Sequence, residues 1–254
     1  MMESIEAWFA PVWQRYGLEQ PAHAGLFRYL YLDRCPPSLQ PPEIRAVETA
    51  HAIRPVNFDG ADPGALPSWT RGLGDRPVVY VTFGTAFNSP EMFAPVLEAL
   101  RNEPLELIVT VGRNLDPAEL GHQPPNVHVE RYLAQSLVLP LCDAVVCHGG
   151  SGAIMETLTC GLPMVILPQG ADQVWNGPLC ADRGVARCLQ GDEVSVASIR
   201  GALAEVLDVG SYRANAGAVA REIAALPGLG HAVSLIARAA TTKAPVLREP
   251  TSQG

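Results

Sequence analysis

From Arg76 onward, runs of apolar residues alternate with segments whose apolar positions recur at helical spacing, the pattern of β–α units that build a parallel sheet. Pro77 to Phe83 (PVVYVTF) reads as a buried strand from its valines and aromatics. Ser89-Pro90-Glu91 then supplies an N-cap residue, a proline at the first helical position and an acid in the first turn. Phe93, Val96, Leu97 and Leu100 follow at i, i+3, i+4 and i+7, which predicts a helix with one buried stripe. Leu105 to Val111, Val127 to Glu130, Asp143 to Cys147 and Met164 to Leu167 are further strands, each separated from the next by enough chain for a crossover. The fold class expected is α/β, a doubly wound parallel sheet of Rossmann-like type.

The ends of the chain have a different texture. Ser195 to Ala240 is alanine-rich and predicts two or three helices, broken in the middle by Leu226-Pro227-Gly228, with a frayed tail from residue 241 to 254. Before Arg76, Ile5, Phe9, Val12, Trp13 and Tyr16 form one apolar helix face, and Leu26 to Leu32 reads as a strand. Pro36-Pro37, Pro41-Pro42, Asp59-Gly60 and Pro63-Gly64 mark a loop and a linker. One helix and one strand cannot close a core of their own. The expected organisation is a helix–strand stub over 1–55, a linker over 56–75, the main domain over 76–240 and a tail over 241–254.

Composition narrows the partners. With 254 residues, 48% of them hydrophobic and 17% charged, the chain can bury a large core and does not read as disordered. A net charge of −8 argues against a phosphate-backbone ligand, so no nucleic acid is expected. No stretch approaches the ~18 unbroken apolar residues of a membrane span, and MMESIEAWFAPVWQRYG has no basic segment followed by an apolar one, so a cytoplasmic protein with no membrane span is expected. The six cysteines include no C-x-x-C pair, and Cys142, Cys147 and Cys160 sit in apolar runs or beside glycine, which reads as buried thiols rather than disulfides or a metal site.

The chemistry concentrates at three strand ends. Asp143 to Cys147 runs into His148-Gly149-Gly150-Ser151-Gly152 and then an apolar helix; a strand, glycine turn and helix N-terminus offer free N–H groups and a positive dipole end to a phosphate. Taken alone, such glycines read equally as a simple chain turn. A second glycine turn, Gly84-Thr85, closes the strand Pro77 to Phe83, and in open α/β sheets ligands bind at the carboxyl ends of the strands. The strand Met164 to Leu167 ends in Pro168-Gln169-Gly170-Ala171-Asp172-Gln173, whose carboxylate and carboxamides suit sugar hydroxyls, or make a solvated loop.

RPVVYVTFGT, VERYLAQSLVLPLCD and HGGSGAIMETLTCGLPMVILPQGADQVWN resemble the donor-binding half of the family 1 nucleotide-sugar glycosyltransferases of GT-B fold, in their bacterial macrolide and antibiotic branch. The resemblance is strong from about Arg54 to Gly191, and YLDRCPPSLQPPE resembles the last strand of that family's acceptor domain. It implies that His148 meets the donor pyrophosphate, that the backbone of Gly150, Ser151 and Gly152 holds its oxygens, and that Gly84 and Thr85 approach the β-phosphate. Glu156 would bind ribose hydroxyls, Asp172 and Gln173 the transferred sugar, and the backbone of Leu133 the base edge. Tyr132 stands where the family carries a tryptophan that stacks on the base, and offers a smaller π-face.

The implied chemistry is inverting transfer from a UDP- or TDP-sugar to a hydroxyl of a small-molecule acceptor, with no metal and no separate cofactor. The family's general base is a histidine early in the acceptor domain, and neither His23 nor His51 matches it by context, so the base is expected outside this chain. An acceptor-domain partner chain, or a homo-oligomer formed through the apolar stub, would then complete the site. The alternatives are a non-catalytic nucleotide-sugar binding or regulatory protein, and a GT-B-fold epimerase or hydrolase.

Overall fold

The computed structural model describes residues 2–56, 58–60, 66–84 and 89–248, with the backbone alone for 2–5. In chain order the regular elements are α1 (Met2–Arg15), β1 (Tyr31–Asp33), α2 (Pro42–Arg45), β2 (Ala50–Ala52), β3 (Val78–Thr82), α3 (Pro90–Leu100), β4 (Glu106–Thr110), β5 (Val127–Glu130), α4 (Gln135–Val138), β6 (Ala144–Cys147), α5 (Ser151–Thr159), β7 (Met164–Ile166), α6 (Gln173–Asp182), β8 (Ala186–Cys188), α7 (Val196–Asp208), α8 (Gly210–Ala225) and α9 (Leu229–Thr242). Contacts divide the chain into two compact units, Val56–Ala224 and Met1–Pro55 together with Ala225–Gly254.

The first of these units is an α/β domain on a six-stranded sheet of order β5-β4-β3-β6-β7-β8. Every pairing is parallel. Counted within the unit, the strands lie in the order 3-2-1-4-5-6, the doubly wound order, whose winding reverses between β3 and β6. Both faces are covered, which is why the strands read as continuous Val/Ile/Leu runs instead of alternating ones. Val79, Val81, Leu107, Val109, Val146 and Val165 point to one face, where they pack with Phe93 and Val96 of α3 and Ile199 and Leu203 of α7.

The opposite face carries Tyr80, Val145, Met164 and Ile166, all fully buried or nearly so. There the Tyr80 hydroxyl meets Thr110 Oγ1 at 2.6 Å, and burial pushes its pKa up to about 12. On this face α6 approaches through Gly177, where a Cβ would lie 2.6 Å from Cys188 Sγ. The edge strand β5 is shielded by Trp69, whose ring stacks on His128 at 4.0 Å and whose Nε1 donates to Glu130. At the start of β6, Asp143 accepts from the Val78 N–H and from Arg213 of α8, fastening a helix to the lower edge of the sheet.

Several boundaries differ from the sequence reading. β8 went unforeseen, because Ala-Arg-Cys is short and carries a charged residue at its centre. Ser89 takes the N-cap position of α3 without a side-chain hydrogen bond to the helix. Cys160 is exposed just beyond α5, not buried, whereas burial raises the thiols of Cys142 and Cys147 to about 12.

In the other unit, the predicted strand Leu26 to Leu32 shortens to β1, which pairs in parallel with β2, Leu32 opposite His51. The partner strand, Ala-His-Ala, has no apolar run to announce it. By contacts α9 groups with the residues before Val56, outside the unit that holds the six-stranded sheet. Nor is the tail frayed up to Arg248. Val246 is fully buried, its N–H donates to the Tyr29 carbonyl and its own carbonyl accepts from His51 Nε2, while the Arg248 N–H donates to Glu48. The stub thus packs on the C-terminal segment, and Arg54 N–H closes the unit by donating to the Pro227 carbonyl at 2.7 Å. On α1, Trp8, Phe9 and Val12 are exposed, as is Tyr16 just beyond it, by 70%.

Candidate functional site

The sequence-predicted residues of the sheet unit fall at the carboxyl ends of β5, β3, β6 and β7, around the point where the winding reverses. Crossings between helices on opposite faces leave a crevice there, and this is where open α/β sheets take ligands. From β5 to β7 the sheet advances by four strand spacings, roughly 19 Å. That length suits an elongated ligand bound across the strand ends.

At the centre, β3 leads into Gly84 and β6 into His148-Gly149-Gly150. Gly84 (φ 77°) and Gly149 (φ 86°) have left-handed backbones, which a side chain would strain. Crowding adds a second reason. A Cβ on Gly150 would stand 2.5 Å from His148 Nε2, and one on Gly84 3.0 Å from His148 Cε1. The His148 ring therefore lies in a cradle made by two glycines on adjacent strands. Its Nδ1 is enclosed and has no hydrogen-bond partner among the described residues. Burial lowers the His148 pKa below its ordinary 6.5, opposed by the Asp172 charge and the Thr82 backbone. Thr85 lies outside the described residues.

Gly150 is the N-cap of α5 and brings no side chain to cap it. The N–H groups of Ser151, Gly152 and Ala153 fall in the first turn, where an α-helix has no internal acceptors for them. Ser151 is exposed and Gly152 partly so, next to His148 in the chain. Glu156 lies one turn further along α5, half-buried.

Beyond β7 the backbone makes an unusual turn, with Gly170 at φ 150° and Ala171 left-handed at φ 55°. This turn brings Asp172 to the head of α6, exposed. Asn176, not singled out by the sequence, reaches from one turn on to donate to Asp172 Oδ2 at 2.8 Å and to the Gly149 carbonyl at 3.1 Å. It ties the β7 turn to the β6 turn. Gln173 departs from expectation: it is 3% exposed and its Oε1 accepts the Gln169 N–H at 2.8 Å, so it braces the turn. Of the expected pair, Asp172 is the one open to solvent.

At the far end, Tyr132 follows β5 and is 46% exposed, while Leu133 beside it is buried. The Arg113 guanidinium sits over the Tyr132 ring, 5.8 Å from its centroid. No group of three or more His, Cys, Asp or Glu side chains arranged to hold a metal ion occurs among the described residues.

A doubly wound sheet with a glycine turn and an uncapped helix N-terminus at its switch point defines a Rossmann-like domain of the nucleotide-binding class. Residues 94–236 match the family model described as "Erythromycin biosynthesis protein CIII-like, C-terminal domain", and the chain belongs to that family. It is similar to oleandomycin glycosyltransferase of Streptomyces antibioticus, 34% identical over 168 residues that cover 65% of this chain and 38% of the relative. Aklavinone 7-beta-L-rhodosaminyltransferase of Streptomyces galilaeus matches 99% of this chain and 56% of its own length, at 29% identity.

Among solved structures, the calicheamicin glycosyltransferase CalG4 superposes with a TM-score of 0.75 at 25% identity, covering 94% of this chain and 61% of CalG4. The spinosyn rhamnosyltransferase SpnG complexed with thymidine diphosphate gives 0.74 at 26% identity, covering 89% and 60%. These neighbours bear out the resemblance to the antibiotic glycosyltransferases, its carboxyl-terminal half and its GT-B fold. The chain spans about half the length of the curated relatives it matches.

Proposed function

We propose that this chain is the donor-binding portion of an antibiotic-type glycosyltransferase, and that the Val56–Ala224 unit binds a UDP- or TDP-sugar for inverting transfer to a hydroxyl of a small-molecule acceptor. The observation that carries the reading is the His148 ring held between Gly84 and Gly150 beside the uncapped start of α5. In a crevice, N–H groups aimed at one point and an imidazole N–H stabilise the charge that grows on a departing diphosphate. Because burial favours the neutral form of His148, it meets the ligand as a hydrogen-bond donor through one ring nitrogen and takes up a proton as the diphosphate charge develops. Asp172, oriented by Asn176, faces the sugar. Glu156 reaches the ribose, Gly84 and Thr85 the phosphate nearest the sugar, and Tyr132 with the Leu133 backbone the base.

The general base is assigned to an acceptor domain, of which residues 1–55 form part, supplied by further chain or by a partner that covers the exposed face of α1. A second copy of the chain is the alternative occupant. Among the described residues no single helix is long and apolar enough to cross a membrane. That the neighbouring rhamnosyltransferase structure holds thymidine diphosphate supports TDP as one donor nucleotide.

The test is calorimetric titration of the purified chain with UDP, TDP and a UDP-sugar in buffer containing chelator. Micromolar binding without metal is the expected result. Absence of binding to all of them overturns the reading.

A further inference from the structure

Tyr132 stands where the resemblance implies a tryptophan, and its phenol hydroxyl is engaged within the protein. It donates to the backbone carbonyl of Asp59 at 3.2 Å, across 73 positions of sequence. The Asp59 carboxylate in turn accepts from the Ser136 N–H at 2.9 Å through one oxygen and from the Ser136 hydroxyl at 3.0 Å through the other. One residue from the segment that opens the sheet unit thus grips both ends of the 132–136 turn. Arg113 covers one face of the Tyr132 ring, and that leaves the other face for a planar ligand. The hydrogen bonds are solvent-exposed and modest singly, but together they restrain a half-exposed aromatic ring whose orientation sets its stacking.

We infer that Asp59 is a positioning residue for the nucleobase: by fastening Tyr132 and Ser136 it holds the aromatic face in the stacking orientation before the nucleotide arrives. The inference rests on the donor-site reading above and adds to it a residue from outside the motifs that carry that reading. A ring already immobilised loses less freedom when the base stacks on it, so the grip acts through affinity. Its effect belongs to the base end of the site and leaves the phosphate end, some strand spacings away, untouched.

Calorimetric titration of the full chain with UDP, TDP and inorganic pyrophosphate, on the wild type and on D59A, D59N, S136A and Y132F, tests this. D59A and Y132F are each expected to weaken both nucleotides about fivefold, the worth of one or two exposed hydrogen bonds. A D59A/Y132F double variant should lose well under the roughly 25-fold that two independent effects would give, since both act through one restraint. Pyrophosphate affinity should not change. D59N, which keeps an acceptor oxygen for Ser136, should recover part of the loss, and S136A, a change at an exposed serine that leaves the fold intact, should reproduce part of it. Nucleotide affinity unchanged in D59A and S136A, or an equal loss for pyrophosphate, overturns the inference while leaving the donor site standing. A wild-type chain that binds none of the three ligands overturns the donor-site reading and this inference with it.

Discussion

The two units of the chain solve the problem of a parallel sheet in opposite ways. In Val56–Ala224, six strands have helices over both faces, and side chains as large as Tyr80, Phe83 and Phe93 are fully buried. In the other unit, β1 and β2 exchange only a three-residue parallel ladder, and the buried apolar side chains among the described residues are few and none is aromatic: Leu39, Val47, Ala50, Ile53, Ala232, Leu235 and Val246. Trp8, Val12, Val233 and Ile236 remain exposed on its helices, and Tyr16 just after the first of them. A parallel ladder is weak per residue and normally lies under helices on both sides. The comparison teaches that the proposed donor site stands on the unit that closes its own core, while the other unit retains an apolar surface.

The strongest way to break the contrast is to open a cavity in each core. Phe93→Ala should cost about 3–5 kcal/mol in urea denaturation, and Val246→Ala about 1–2 kcal/mol, confined to the transition of the terminal unit. Equal losses in one shared transition would mean that the units unfold together. Next in size is His148→Ala, which should weaken nucleoside diphosphate binding by about 1.5–3 kcal/mol by titration calorimetry, since its hydrogen bond to an anion is charge-assisted. It should change stability little, because the ring fills a glycine cradle at the crevice and its Nδ1 has no hydrogen-bond partner among the described residues.

Asp172→Ala should weaken a full nucleotide-sugar by about 1 kcal/mol and free nucleoside diphosphate by much less. Equal losses would place Asp172 away from the sugar. The smallest effect is that of pH. His148 titrates below 6.5 in the free chain, and a bound diphosphate raises its pKa. The complex therefore holds more protons than the free protein, so affinity grows as pH falls through the pKa of the complex, with proton uptake visible in buffers of different ionisation enthalpy. His148→Gln should abolish that share of the pH dependence. An unaltered profile would show that the ligand's own phosphates produce it.

The difference between the units also explains what could be read in advance. β3 to β7 were legible because a strand covered on both faces must be apolar at every position, and PVVYVTF or MVIL has few other uses. The glycine turns were legible for a related reason: Gly84 and Gly149 need left-handed backbones, and such turns at strand ends stand out in sequence. Ala50–Ala52 and Ala186–Cys188 stayed hidden, since their three residues have no pattern and are made strands by the neighbours they pair with. The pairing of the Gln173 carbonyl with the Gln169 N–H was equally invisible, because a side chain's partner depends on the shape of the turn around it.

The sequence by itself determined the α/β class, the carboxyl strand ends that carry the chemistry, and the family, because burial pattern and turn chemistry are local and act through residues adjacent in the chain. Tertiary structure alone decided that α9 and the segment through Arg248 group with the residues before Val56, that Asn176 bridges two turns, and that Asp59 grips the loop of Tyr132. Those contacts join positions up to 203 residues apart, as between Arg45 and Arg248. Their partners are chosen by the packing of whole elements, and no spacing along the chain encodes that choice.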